Sequence, residues 1–255
     1  MNFIRKILFI LLGKDLYFKL ISKVFIWLFQ LGFLKHVKKF NTHHFVRGLI
    51  NKGDCIIDIG ANFGYYTTIF AKRTGNTGLV YAVEPVAQYR QVLLSNTRKL
   101  NNIVIIPFAL SDIEGKSEMG IPGDKKYRHG LTRILNSSES KNNKEGYRIE
   151  TKTPGNLFNH LEKIDYIKCD IEGYESKVIP EFRSLIEKFN PIVQIEIEKT
   201  NFGSINDFFH SLGYKAFKVS DYKLIQHNKD GSYNSDLIYL TKNQINQLTQ
   251  NNLIP

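Results

Sequence analysis

The sequence predicts an α/β protein in which a mostly parallel sheet carries helices on both faces. Two observations predict it. From about residue 50, short Val/Ile-rich runs alternate with segments whose apolar residues recur at helical spacing. Strands buried on both faces read as continuous apolar runs, and parallel neighbours need crossover helices between them. The first apolar run also ends in "DIGANFG", an acid followed by two glycines four apart, which lets a strand turn sharply into a helix.

The elements follow in order. "CIIDIG" (55–60) is a buried strand, and "YYTTIFAKRTG" is a helix closed by Gly75. "LVYAVEP" (79–85) is a second strand and "VAQYRQVLLSNTRKL" a helix. "IVIIPFAL" (103–110) is a third strand. Residues 111–156 turn polar and rich in Gly, Ser, Asn and Lys, too long for an ordinary connection, so they read as a variable loop, either a functional lid or disordered. "NLFNHLEK" is a short helix and "IDYIKCD" (164–170) a fourth strand. "YESKVIPEFRSLIEKF" is a helix that Pro180 divides or kinks. "PIVQIEIE" (191–198) is a fifth strand, and "INDFFHSLG", "YKAFKVS" and "DLIYLTK" give a helix and two last strands.

The 255 residues suit one compact domain, 49–255, preceded by a basic, apolar helical segment, 1–48. Two cysteines, Cys55 and Cys169, sit in apolar strands and make no disulfide framework, which suits a reducing, cytoplasmic setting. The net charge is +11, yet residues 1–50 hold nine Lys/Arg against one acid, Asp15. The main domain is therefore nearly balanced. A nucleic-acid enzyme would spread basic surface around its site, so nucleic acid is not expected as a partner. "ILFILLG" lacks a small-residue cleavage site after it, and "VFIWLFQLGFL" (24–34) is too short to span a bilayer as a helix. Two readings of residues 1–40 stay open: an amphipathic segment on the inner face of the cell membrane, or helices packed on the domain or a second subunit. His43-His44 have no ligand partner nearby in sequence and read as a linker.

Ligands of open α/β sheets bind beyond the carboxyl ends of the strands. "DIGANFG" lies there, and Glu84 ends the second strand 26 residues after Asp58. An acid at that place accepts hydrogen bonds from ribose hydroxyls. The glycine spacing is not the G-x-G-x-x-G of a dinucleotide site, and Asp58 would repel a pyrophosphate. It suits the cationic end of S-adenosylmethionine.

"IIDIGANFGYYTTIFAK", "VYAVEPVAQYRQVLLSN", "IPFALSD" and "IDYIKCDIEGYESKVI…PIVQIEIE" resemble the FkbM family of S-adenosylmethionine-dependent methyltransferases, from about residue 50 to 242. The resemblance implies a Rossmann-like, class I methyltransferase fold: a seven-stranded, mostly parallel sheet whose last strand is antiparallel. It implies methylation of hydroxyl oxygens, often on sugars or other glycan-type acceptors. It places Asp58, Gly60, Ala61, Asn62 and Gly64 along the methionine part of the cofactor, Glu84 on the ribose, and Ser111 and Asp112 near adenine. Residues 120–153 match loosely and are expected to hold the acceptor.

A sugar hydroxyl is a weak acid, so the site needs a general base or a metal. Lys168 and Asp170 project to one face of their strand. Asp170, Glu196 and Glu172 offer oxygen ligands for Mg²⁺ or another divalent ion; Glu175 and Glu198 read as structural. His129, beside Gly130, is the candidate base, with a plain surface histidine as the alternative. Two rival functions stay open: a nicotinamide-dependent oxidoreductase, and a non-catalytic membrane-attached binding protein of the same fold.

Overall fold

In the computed structural model, residues 2–121, 129–135, 146–227 and 235–255 are described. Helix α1 (Asn2–Gln30) opens the chain and bends at Gly13, whose φ of 69° is non-helical. A short helix α2 (Asn41–Phe45) leads to strand β1 (Cys55–Ile59). Then come α3 (Tyr65–Thr74), β2 (Leu79–Val83), α4 (Ala87–Thr97) and β3 (Ile103–Ile106). Gly75 ends α3 at a φ of 65°, as its position predicts.

The run 103–110 is divided. Pro107 has no N–H to continue the ladder, so β3 stops at Ile106. Ala109–Leu110 form a separate strand, β4. That strand joins a second sheet whose other strands lie within the segment read as a long loop. Its members are β5 (Gly115–Gly120), β6 (Arg133–Ile134) and β7 (Tyr147–Lys152), in the order β4-β7-β5-β6. The polar strands of this small sheet alternate rather than forming apolar runs, and β5 pairs antiparallel with β7 from Gly115 opposite Thr151 to Met119 opposite Tyr147.

The chain returns to the main sheet through α5 (Pro154–Phe158) and β8 (Tyr166–Cys169). Pro180 divides the next helix as expected: α6 (Glu175–Val178), one 3₁₀ turn from Ile179 to Phe182, then α7 (Arg183–Phe189). Strand β9 (Ile192–Ile197), helix α8 (Phe202–Ser211), strands β10 (Lys215–Ser220), β11 (Lys223–Gln226) and β12 (Ser235–Leu240), and helix α9 (Lys242–Gln250) complete the fold.

The main sheet has eight strands rather than seven, in the order β11-β10-β12-β9-β8-β1-β2-β3. Strands β3, β2, β1, β8 and β9 are parallel, and β12 runs antiparallel between β9 and β10. The extra strand, β11, is added by a tight hairpin at Asp221-Tyr222, both at positive φ. One core cluster, with Ile57, Ile167, Val193 and Phe182, fills one face of the sheet; a second, with Ile56, Phe70, Val80 and Ile238, fills the other.

Helix α1 is packed on this domain. Phe18 is fully buried, with ring centroids 4.9 Å from Phe63 and 5.8 Å from Tyr89. Asp15 accepts a hydrogen bond from the Gln88 side-chain amide. Among the described residues no helix is long and apolar enough to cross a membrane.

Candidate active site

The sheet order reverses at β1, whose neighbours are β2 on one side and β8 on the other. The connections leave that point in opposite directions and open a crevice at the carboxyl ends. The turn after β1 forms its floor. The backbone N–H groups of Gly60 and Ala61 both donate to the Val83 carbonyl, at 3.1 and 3.0 Å. Gly60 has a φ of 75°, and a Cβ there would collide with the Asp170 backbone carbonyl. Only glycine lets β1 and β8 end side by side.

Asn62, also at positive φ, donates its backbone N–H to Glu84 Oε2 at 2.8 Å, while Val86 N–H donates to Oε1 at 2.8 Å. Glu84 thus fixes the turn and the end of β2 together. Burial pushes its carboxyl up to about 7, against the lowering effect of those two bonds. Each oxygen keeps a further lone pair.

A cavity of about 640 Å³ opens above this floor, lined by Gly60, Ala61, Asn62 and Glu84 on one side and by Lys168, Asp170, Glu172 and Glu196 on the other. Lys168 is almost fully buried, with Nζ 3.2 Å from Asp170 Oδ2, 3.8 Å from Asp58 Oδ1 and 5.1 Å from the Tyr66 ring centre. Burial pulls its pKa down, but the Asp170 and Asp58 carboxylates more than offset this and hold the ammonium charged. Glu172 is pushed up to about 7, by burial and then by Asp170. Glu196 opens to the cavity and is pushed up to about 8, first by the charge of Asp170 and then by burial. Its solvent-facing position makes repulsion, rather than desolvation, the cause that carries this shift.

Other chain segments complete the wall. Asp236 of β12 sits in register beside Glu196. Gln194 Nε2 donates to Asp236 Oδ1 and to the Tyr66 hydroxyl, both at 3.1 Å, and its Oε1 accepts from Tyr166 at 2.9 Å. His43 Nδ1 lies 3.1 Å from the Tyr66 hydroxyl with the two rings stacked. Burial, with Lys168 adding, depresses His43 to about 3, so it is neutral. His43 and His44 are therefore part of helix α2, and His43 lines the cavity, correcting the linker reading. The signal for Asp236 was an acid at the start of an apolar strand; His43 carried no comparable one.

The predicted residues distribute unevenly. Gly60, Ala61, Asn62, Glu84, Lys168, Asp170, Glu172 and Glu196 meet at the cavity. Asp58 does not open onto it. Its carboxylate is fully enclosed, accepts from Thr67 Oγ1 at 2.6 Å and faces Lys168. The expected position of Asp58 along the cofactor therefore differs from its place in the fold: Lys168, which lines the cavity, is the residue its carboxylate faces. Gly64 is the left-handed residue that starts α3, packed against Leu93. Ser111 and Asp112 lie one step beyond the cavity-lining Leu110; Ser111 Oγ is 3.1 Å from Asp112 and 3.5 Å from the Tyr174 hydroxyl. The side chain of His129 lies outside the described residues, although Gly130 and Leu131 next to it line the cavity. Glu175 accepts from Ile171 N–H at 2.9 Å and ties down the turn after β8.

Among the described residues no three His, Cys, Asp or Glu side chains are arranged to hold a metal ion. Asp170, Glu196 and Glu172 do not form the oxygen set expected for Mg²⁺, and the cation beside Asp170 is the Lys168 ammonium. The donor set does fit S-adenosylmethionine. A buried carboxylate at the end of β2 suits a ribose diol, and the group of Asp170, Glu172, Glu196 and Asp236 suits a positively charged sulfur.

The family comparison agrees with this reading. The model of the methyltransferase FkbM domain family matches residues 58–216. A probable cobalt-precorrin-6B C(15)-methyltransferase (decarboxylating) of Saccharolobus solfataricus is 29% identical over 167 residues, covering 59% of this chain and 81% of that protein. Among solved structures, the methyltransferase FkbM of Methylobacillus flagellatus superposes with a TM-score of 0.51 at 16% identity, over 75% of this chain. The chain spans only 45% of the length of that structure. An S-adenosylmethionine-dependent O-methyltransferase of Thermotoga maritima gives a TM-score of 0.44 at 12% identity, over 79% of this chain and 64% of that one.

Proposed function

This chain belongs to the FkbM methyltransferase family and is an S-adenosylmethionine-dependent methyltransferase, and from that premise we propose that it methylates a hydroxyl oxygen of a sugar or lipid-linked glycan. The observation that carries the proposal is the position of Glu196, a carboxyl that lines the cavity with Asp170 and stands in register with Asp236, so that the neighbouring acids raise its pKa. S-adenosylmethionine, when bound, would supply an electrophilic methyl group for the acceptor oxygen and a neutral thioether as the leaving group. Glu196 receives the proton that the hydroxyl loses. A raised pKa makes it a stronger base than an ordinary carboxylate. A cation nearby favours its ionised form, so a loaded site leaves Glu196 ready to accept. Lys168 pairs with Asp170 at 3.2 Å and so fixes the carboxylate that raises Glu196. Glu84 and the turn at Gly60–Asn62 fix the ribose end, so the oxygen and the methyl carbon align by position.

The test is mass spectrometry of cell glycans and glycolipids with and without the intact enzyme, followed by methyl transfer in vitro from isotope-labelled S-adenosylmethionine. The expected product carries one labelled methyl ether on a sugar. Label found only on nitrogen or carbon of an acceptor would overturn the proposal.

A further inference from the structure

Helix α1 has two apolar faces, and the fold uses one. Tyr17, Phe18, Ser22 and Phe29 are buried against the domain, whereas Leu16, Leu20, Val24, Trp27 and Leu31 are 42–59% exposed. The first four recur at intervals of four and three on one side of the helix, and Leu31, one residue past its end with its N–H on the Trp27 carbonyl, continues the line, so the five form a stripe directed away from the protein. Before the bend at Gly13, Ile10 and Leu11 are 69% and 74% exposed, and beyond the helix Phe33 is 66% exposed. A continuous apolar stripe of this kind on a folded surface marks a contact site.

Charge identifies what it contacts. Lys19 and Lys23 are exposed along one edge of the stripe. On the same flank a cleft of about 260 Å³ separates α1 from α3, floored by Phe29 and Ile69 and rimmed by Arg47, Lys72 and Arg73. Cations from three parts of the chain therefore border one apolar stripe. A two-fold contact with a second copy would set these like charges against each other. A bilayer bearing anionic headgroups takes apolar side chains between its lipids and cations at its phosphates in the same plane.

We propose that the protein docks on an anionic lipid surface, with α1 lying in the interfacial plane, its Leu16–Leu31 stripe immersed and Lys19, Lys23, Arg47, Lys72 and Arg73 at headgroup level. Docking needs no turnover, so its test is independent of the methyl-transfer chemistry.

Trp27 is the only tryptophan in the chain and reports the stripe directly. The full-length protein is titrated with vesicles of phosphatidylcholine alone or mixed with phosphatidylglycerol. With the anionic vesicles Trp27 emission shifts to shorter wavelength and is quenched by lipids brominated on their chains; high salt weakens both effects. Lys19→Gln/Lys23→Gln weakens partitioning ~30-fold, a few-fold for each lysine near the surface. Leu16→Asp/Leu20→Asp abolishes the shift while its thermal melting matches the parent, since both positions are exposed. No emission change with anionic vesicles, or the same change with neutral ones, would overturn the proposal. So would a shift that grows with protein concentration without lipid, which would assign the stripe to a second copy.

Discussion

Lys168 sets the charge balance at the strand ends. It lies between the enclosed carboxylate of Asp58 and the cavity-facing carboxylate of Asp170, and among the described residues no other cation forms an ion pair with either. Asp58 in turn holds Thr67 at the start of α3. Replacing Lys168 by Met leaves Asp58 enclosed without a counter-charge, and breaking such a pair costs about 3–5 kcal/mol. Urea unfolding measures this, and Lys168→Met/Asp58→Asn should recover most of the loss. A single variant as stable as the parent would mean that Asp58 needs no ammonium. Asp58, Glu84, Asp170 and Glu196 were legible in the sequence because an acid inside an apolar run needs a partner. The direction of the Asp58 side chain was not: strand periodicity gives the face, and the residue that meets it comes from β8, 110 positions later in the chain. His43 and Gln194 were not legible either, because His43 reaches Gln194 only through Tyr66, and these three belong to α2, β9 and α3.

Helix α1 shows how an element can carry one sequence signal and two uses. Its aromatic and aliphatic residues gave a choice between packing and a membrane surface; the inward side packs, and the outward side is the one proposed to dock. The packing makes a prediction of its own. Phe18 fills a pocket between Phe63 and Tyr89, next to the turn that lines the cavity. Phe18→Ala should destabilise the whole domain by ~3–5 kcal/mol, the usual cost of emptying a large buried aromatic site. Calorimetry showing a melting temperature within a degree or so of the parent would make α1 a detachable arm. Elsewhere the element boundaries follow local rules. Pro180 divides the helix at the 3₁₀ turn that holds it, and Pro107 ends β3 by the same missing N–H, within a run whose apolar pattern alone reads as one strand. The final helix, α9, had a readable start: Thr241 accepts from Gln244 N–H at 3.4 Å, and the Gln244 side chain accepts from Thr241 N–H at 2.8 Å, a reciprocal cap written as T-x-x-Q. The small sheet of β4 to β7 was hidden because its strands are short and polar, and their pairing joins residues 109–120 to 147–152 across a polar stretch.

Across the whole molecule the charges separate: cations gather on the N-terminal helices and acids at the carboxyl ends of the sheet. The consequence is a pH dependence with a definite sign. Burial, with neighbouring acids, raises Glu84, Glu172 and Glu175 to about 7, and Asp170 raises Glu196 to about 8, from an ordinary value of 4.5. Between those limits the folded protein binds protons that the unfolded chain has released, so their contribution to stability is complete below about 4.5. It is lost as pH rises through 7 to 8. The net charge of +11 works the other way, since protonation at low pH adds repulsion to an already basic protein. Total stability therefore mixes two trends, and the difference between two proteins separates them. Glu196→Gln removes one raised acid and leaves the N-terminal cations untouched. Its thermal stability relative to the parent should rise steadily from about pH 4.5 and level off above about pH 8. Over the same range its kcat should fall at every pH, because the proton acceptor is gone. Saturating S-adenosylmethionine should shrink the stability difference, since a bound cation favours the ionised carboxylate in the parent. A difference that stays constant across the range would mean that Asp170 does not act on Glu196, and the proton acceptor would have to be sought elsewhere along the cavity.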